Sequence, residues 1–170
     1  MTPRALLIGA PGAGKSTVGL ALAERLGVAF RDTDADIERR AGKKIADIFI
    51  DEGEEAFRAI ETEVLAEAVT EFDGVVSLGG GVIMREANRA LLAHQPVVWL
   101  EVSLTAAVKR VGIGATRPLL MGNVRGRLME LMAERTPIYT ELAAVRVDTT
   151  DRSIHDVVEE IVEALEVHRG

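Results

Sequence analysis

An α/β fold, a parallel sheet covered by helices on both faces, is what this sequence predicts. Five short apolar segments alternate with helical patterns along the whole chain, as in parallel sheets buried on both sides. Three clusters of chemically distinctive residues fall at the carboxyl ends of such segments, where open parallel sheets bind ligands: Gly9–Thr17, Asp32 with Asp34, and Gly79-Gly80-Gly81. The size also fits one domain spanning 1–170, because 170 residues with 48% hydrophobic and 28% charged can enclose a full core.

Arg4–Ile8 is the first buried strand, and Lys15–Leu26 is a helix that follows its glycine loop. Val28–Arg31 is a short strand ending at Asp32-Thr33-Asp34, with a helix from about Ala35 to Arg40 and a helical piece over Ile45–Phe49. From Glu54 to about Phe72 the apolar residues Phe57, Ile60, Val64, Leu65 and Ala68 recur at helical spacing. Val75–Leu78 is the third strand, stopped by three glycines. A helix over about Glu86–Leu92 leads to the fourth strand, Val97–Glu101, and Thr105–Val111 is again helical. Val145–Val147 is the fifth strand, and a helix from about Ser153 to Val167 closes the chain. The glycines and Arg117 of the stretch from Gly112 to Leu120, between two helices, suggest a lid over about 112–124 that excludes water.

The formal net charge of −7 opposes nucleic acid and anionic membranes as partners. An anionic small molecule would need a local cluster of arginines. With no cysteine there is no disulfide, thiolate metal site or cysteine nucleophile, which fits a reducing compartment. The first strand begins too early for a signal peptide, and no apolar run has the length of a membrane span. The expectation is a cytoplasmic protein, acting as a monomer.

Gly9-Ala10-Pro11-Gly12-Ala13-Gly14-Lys15-Ser16-Thr17 matches G-x-x-x-x-G-K-[ST] between a strand and a helix. In that setting Gly12, Ala13, Gly14, Lys15, Ser16 and Thr17 form a cradle of N–H groups for nucleotide phosphates. Lys15 reaches the terminal phosphates and the Ser16 hydroxyl ligates Mg²⁺. If the backbone stays extended through Asp32 and Asp34, both carboxylates face one way. One would then serve the metal and the other an acceptor hydroxyl, whereas a Thr33-x-x-Asp36 capping box would use the segment to start a helix. Arg58 can pair with Glu54 one turn earlier or bind substrate. Arg135 can complement a helix C-terminus or bind substrate. Gly79-Gly80-Gly81 suits close approach of a ligand to the backbone. Arg117 is placed to neutralise transferred phosphate, and Arg110 either stacks on a base or lies exposed. His94, His155 and His168 show no ligand spacing, and Trp99 reads as core.

Taken together, the P-loop, Asp32-Thr33-Asp34, Ala46-Asp47-Ile48-Phe49, Gly53-Glu54-x-x-Phe57-Arg58, Leu78-Gly79-Gly80-Gly81, Arg117-Pro118-Leu119-Leu120 and Arg135-x-Pro137-x-Tyr139 resemble shikimate kinases in order and interval, over nearly the whole chain. The resemblance implies a three-layer P-loop kinase fold with strand order 2-3-1-4-5. It implies transfer of the ATP γ-phosphate to the 3-hydroxyl of shikimate, on the route to chorismate and the aromatic amino acids. On that resemblance Asp34 holds ring hydroxyls and acts as base, while Arg58 and Arg135 grip the carboxylate. Gly80, flanked by Gly79 and Gly81, contacts a hydroxyl, and Arg117 reaches the phosphates from the lid. Asp32 helps Ser16 hold one Mg²⁺, Arg110 lies against adenine, and Arg152 belongs to the adenine rim. Where the family often has proline after Asp-Arg-Ser, this chain has Ile154. A gluconate-type kinase is a rival on the same scaffold, since its acceptor also carries a carboxylate and hydroxyls. A GTPase switch would show Asn-Lys-x-Asp, which this chain lacks.

Overall fold

Ala5–Ile8 is buried along its whole length and forms the central strand β1. In the computed structural model, which describes residues 2–114 and 123–169 (112–114 and 169 as backbone only), β1 lies parallel to β3 (Gly74–Ser77) on one side and β4 (Val97–Glu101) on the other. β2 (Ala29–Asp32) adds beyond β3 and β5 (Val145–Asp148) beyond β4, giving the order β2-β3-β1-β4-β5. The alternating side chains of β1 explain why it has no polar face. Ala5 and Leu7 join a cluster with Val98, Leu100, Leu22 and Ile161, while Leu6 and Ile8 join a second with Leu65, Leu92, Trp99 and Tyr139. Trp99 is core, as expected.

Among the described residues the helices are α1 (Lys15–Leu26), α2 (Thr33–Ala41), α3 (Ile45–Asp51), α4 (Glu54–Glu71), α5 (Glu86–Leu92), α6 (Leu104–Gly114), α7 (Val124–Leu142) and α8 (Ile154–Arg169), with a 3₁₀ turn over Val82–Met84. α1 and α8 cover the first cluster; α4, α5 and the 3₁₀ turn cover the second. A third, small cluster of Ile37, Ile48, Phe57 and Val64 holds α2, α3 and α4 together beside the sheet edge. Among the described residues no helix is long and apolar enough to cross a membrane.

Three differences from the sequence reading matter. α2 begins at Thr33 rather than near Ala35, because Asp32 caps it: Oδ1 accepts the N–H of Asp34 at 2.9 Å. The Asp32–Asp34 segment is therefore not extended, and its two carboxylates do not share a direction. The Thr33-x-x-Asp36 capping box does not form either; the Asp36 carboxylate pairs with Arg31 and Arg39, each at 2.8 Å.

The second difference is α7, a single helix that runs through Pro137 and places Arg135 in its interior, not near a C-terminus. Proline reads as a stop because it removes one helical N–H. The helix continues past it nonetheless, with Ile138, Tyr139 and Leu142 packed on the second core cluster beyond the proline. The Thr136 and Thr140 hydroxyls bond back to the carbonyls of Met132 at 2.6 Å and Thr136 at 2.9 Å, contacts of the kind that bend a helix. Third, the lid expected over 112–124 starts within α6 and ends within α7. Its residues 115–122, Arg117 among them, lie outside the described residues.

Gly74 opens β3 where a side chain has no room, since a methyl group there would overlap the Ala29 carbonyl oxygen of the neighbouring strand. Gly74→Ala is expected to cost about 1–3 kcal/mol. At about 2–4 °C per kcal/mol for a domain of this size, a thermal melt reads it directly, and an unchanged Tm would contradict the close strand packing.

Candidate active site

The loop after β1 carries left-handed backbone at Gly12 (φ 85°) and Gly14 (φ 87°), conformations that favour glycine. Gly14 is the N-cap of α1 and offers no side chain, so the first N–H groups of the helix stay open to an anion. Gly12 presses on α6: a Cβ there would lie 3.0 Å from the carbonyl oxygen of Ala107. Lys15 Nζ folds over the loop, donating to the carbonyls of Gly9 at 2.7 Å and Ala10 at 3.3 Å. Burial, then the positive charge of Arg135, lowers the Lys15 ammonium to about 8, against the pull of Asp34 and Asp32. Lys15, Arg135, Asp34 and Asp32 thus share one electrostatic neighbourhood.

Ser16 Oγ donates to Asp32 Oδ2 at 3.2 Å. The helix cap and the hydroxyl contact use different oxygens of Asp32, so capping and metal-facing roles are compatible. A serine hydroxyl beside a carboxylate at a phosphate cradle is a hard-oxygen set suited to Mg²⁺, which is held by one or two protein ligands plus substrate phosphates. Asp34, in the first turn of α2, points instead toward the glycine turn. Burial raises its carboxyl, Asp32 adds to the rise, and Lys15 and Arg58 oppose it.

The three glycines each face a different charged side chain. A Cβ on Gly79 would sit 2.5 Å from Asp34 Oδ1, one on Gly80 2.9 Å from Arg135 Nη1, and one on Gly81 2.6 Å from Arg58 Nη1. Side chains from α2, α7 and α4 therefore close on one bare backbone turn at the end of β3. Arg58 does pair with Glu54, at 3.8 Å, but its tighter partner is the buried Glu61, whose Oε1 accepts from Nη1 at 2.8 Å. Glu61 was missed in the sequence, although its i,i+3 spacing from Arg58 was available. Burial raises the Glu61 carboxyl and Arg58 opposes that.

Thr33 was read only as a cap. Its buried hydroxyl accepts the Gly79 N–H at 2.9 Å and reaches the Ser77 carbonyl at 3.4 Å, tying the start of α2 to the glycine turn. Arg135 Nε and, one turn on, Tyr139 Oη are buried without a hydrogen-bond partner among the described residues.

On the other side of the P-loop lies a cavity of about 240 Å³ walled by Ala13, Thr17, Arg110, Thr149, Arg152 and Ile154. Arg110 bridges the P-loop and the end of β5, donating to the Gly12 carbonyl at 2.9 Å and the Thr149 carbonyl at 3.1 Å. The Arg152 guanidinium bonds to the Asp148 carbonyl and pairs with Glu160 at 3.0 Å, leaving its stem on the cavity wall. The cavity and the charged pocket therefore lie on opposite sides of the P-loop that carries Lys15.

Residues 11–166 match the family model described as shikimate kinase. The chain belongs to the shikimate kinase family. It is 57% identical to the shikimate kinase of Thermobifida fusca, across 96% of this chain and 95% of that one. A solved structure of the shikimate kinase from Acinetobacter baumannii in complex with shikimate superposes with a TM-score of 0.88, at 36% identity, covering 99% of this chain and 95% of that one. A gluconokinase from Sinorhizobium meliloti shares the fold alone, at 20% identity and a TM-score of 0.61. The strand order expected from the resemblance is the one observed. The protein is an enzyme, a shikimate kinase with ATP as its co-substrate.

The lowered Lys15 ammonium, at about 8, has two consequences. Above pH 8 the free enzyme loses that charge, so ADP affinity measured by calorimetry is expected to fall between pH 7 and 9. Stability moves the other way. Between about 8 and the unfolded value near 10.4 the unfolded chain binds more protons at this site, so the Lys15 contribution to stability rises with pH. In Lys15→Met both trends should flatten; their persistence would remove Lys15 as their source.

Proposed function

We propose that the enzyme moves the γ-phosphate of ATP to the 3-hydroxyl of shikimate, with the acceptor held by Asp34, Arg58 and Arg135 around Gly79-Gly80-Gly81. The observation that carries this reading is the closure of those three side chains on three successive glycines, with Asp34 and Arg135 in the electrostatic reach of Lys15. A rigid carbocycle with one carboxylate and several hydroxyls matches such a pocket. Two guanidinium forks can share the carboxylate, a carboxylate can take a hydroxyl hydrogen, and a bare backbone lets the ring approach closely. The Acinetobacter baumannii relative, with shikimate bound, makes shikimate the acceptor to test first.

In the proposed reaction the acceptor O–H gives its proton to Asp34 and its oxygen attacks the γ-phosphorus in line. The bond to the bridging oxygen breaks, and ADP carries away that electron pair. A raised Asp34 carboxyl is a better proton acceptor than an ordinary one, while Lys15 and Arg58 still favour its ionised form. Gly12 to Thr17 cradle the phosphates, and Lys15 leaves its loop carbonyls to pair with them. Ser16 and Asp32 would hold Mg²⁺, which supplies neutralisation of phosphate charge. Arg117 takes the same electrostatic role from the lid, and Arg110 and Arg152 border the base. All of these groups come from one chain, so a monomer suffices. Little covalent work falls to the protein; positioning and charge carry the rate.

Acceptor-dependent ADP formation with shikimate, gluconate and AMP tests the reading, with stimulation expected for shikimate alone. Preference for gluconate would replace it with the rival on this scaffold. Asp34→Asn is expected to lower kcat by about 10²–10⁴-fold, the usual worth of general-base assistance, with nucleotide affinity nearly intact. Near-normal turnover in that variant removes Asp34 from the role. Arg58→Ala and Arg135→Ala should each raise the KM for shikimate far more than that for ATP, and the reverse pattern would refute the carboxylate clamp.

A further inference from the structure

We infer that Asn88 is a positioning residue for the acceptor: its carboxamide sets the distance between the helix that carries Arg58 and the glycine turn that Arg58 faces. The inference rests on the reading of Arg58 as a substrate clamp. Asn88 stands on α5 with its side chain completely buried beside the apolar cluster under the sheet. A carboxamide in such a place is costly unless both ends find partners. Both do. Nδ2 donates to the Val82 carbonyl at 2.9 Å, and Oδ1 accepts from the Thr62 hydroxyl at 2.8 Å.

The two partners are what give the residue its role. Val82 follows Gly81 directly and opens the 3₁₀ turn that ends the glycine segment. Thr62 lies one turn after Arg58 on α4, and its hydroxyl is also 3.1 Å from the Arg58 carbonyl. A single side chain thus joins the backbone after Gly81 to the turn of α4 that bears the clamp. Arg89, the next residue of α5, adds a second tie to the same turn by donating to the Ile83 carbonyl at 2.9 Å.

Between these anchors the tolerance is small, since Arg58 Nη1 lies within 2.6 Å of where a Cβ on Gly81 would be. A shift of the turn toward α4 closes the space for a carboxylate, and a shift away leaves the guanidinium out of reach. Packing alone does not call for asparagine here, because leucine has nearly the same shape and suits an apolar cluster. What leucine lacks is a donor and an acceptor on one rigid plane.

Steady-state kinetics on the full chain decide the matter. Asn88→Leu is expected to raise the KM for shikimate by about tenfold, with kcat and the KM for ATP within about twofold, as loss of one buried hydrogen-bond bridge would give. Thr62→Val removes one hydroxyl at nearly constant volume and should raise the same KM by about threefold, while Thr62→Ser restores it. Because the effect passes through Arg58, Thr62→Val should change nothing further in an Arg58→Ala background. A wild-type shikimate KM in Thr62→Val, or full additivity with Arg58→Ala, overturns the inference even if Asn88→Leu fails to fold. An unchanged shikimate KM in Arg58→Ala itself would instead remove the clamp on which the inference stands.

Discussion

The site depends on a stretch of backbone with nothing attached to it. Because Gly79, Gly80 and Gly81 have no side chains, Asp34, Arg135 and Arg58 can approach the end of β3 within contact distance from three separate helices. Any Cβ in that turn would displace one of them. The fold serves this convergence: the α2–α3–α4 cluster fixes two of the helices, and α7, packed through Tyr139 on Trp99 of β4, supplies the third. An acidic surface is no obstacle, since the positive groups face inward on one small volume.

The same groups leave the free site electrostatically unsatisfied. Lys15 is driven toward losing its proton by burial and by Arg135, Asp34 toward gaining one by burial and by Asp32, and Arg135 keeps a buried N–H with no partner among the described residues. By contrast, Asp36 lies between two arginines and Asn88 between Thr62 and Val82, each with its partners. Opposed shifts and an open N–H gathered around Lys15, Asp34 and Arg135 are the pattern of a site whose missing charges arrive with its ligands. A triphosphate would answer Lys15, and a carboxylate would answer the guanidinium pair.

Much of this was legible in the residues themselves. Apolar runs ending in Gly9, Asp32 and Gly79 placed the strands and their functional ends, because a doubly covered parallel sheet leaves a plain signature. Strand order was not readable from spacing and came through the family resemblance, as did the proposed roles of Arg58 and Arg135. Pro137 hid the length of α7, since packing of Ile138, Tyr139 and Leu142 on the core carries the helix past a residue that usually ends one. A shared direction for Asp32 and Asp34 depended on extended backbone, and the Asp32 cap starts α2 at Thr33, two residues earlier than the apolar pattern suggests. Thr33 and Asn88 touch backbone or side chains distant in sequence, which a polar residue within an apolar pattern does not announce. Glu61 stands three residues from Arg58, but spacing alone does not tell a buried pairing from a solvated helix face.

Calorimetric titration of shikimate against its methyl ester tests the convergence most directly, because esterification removes the carboxylate charge and keeps the ring and its hydroxyls. Two guanidinium groups closing on one carboxylate require the acid to bind at least about a hundredfold more tightly, as expected for two charge-assisted contacts. They also require that preference to collapse when Arg58 and Arg135 are both replaced by alanine. Equal affinity for acid and ester in the unmodified enzyme would mean that the charged side chains around Gly79-Gly80-Gly81 do not hold the acceptor.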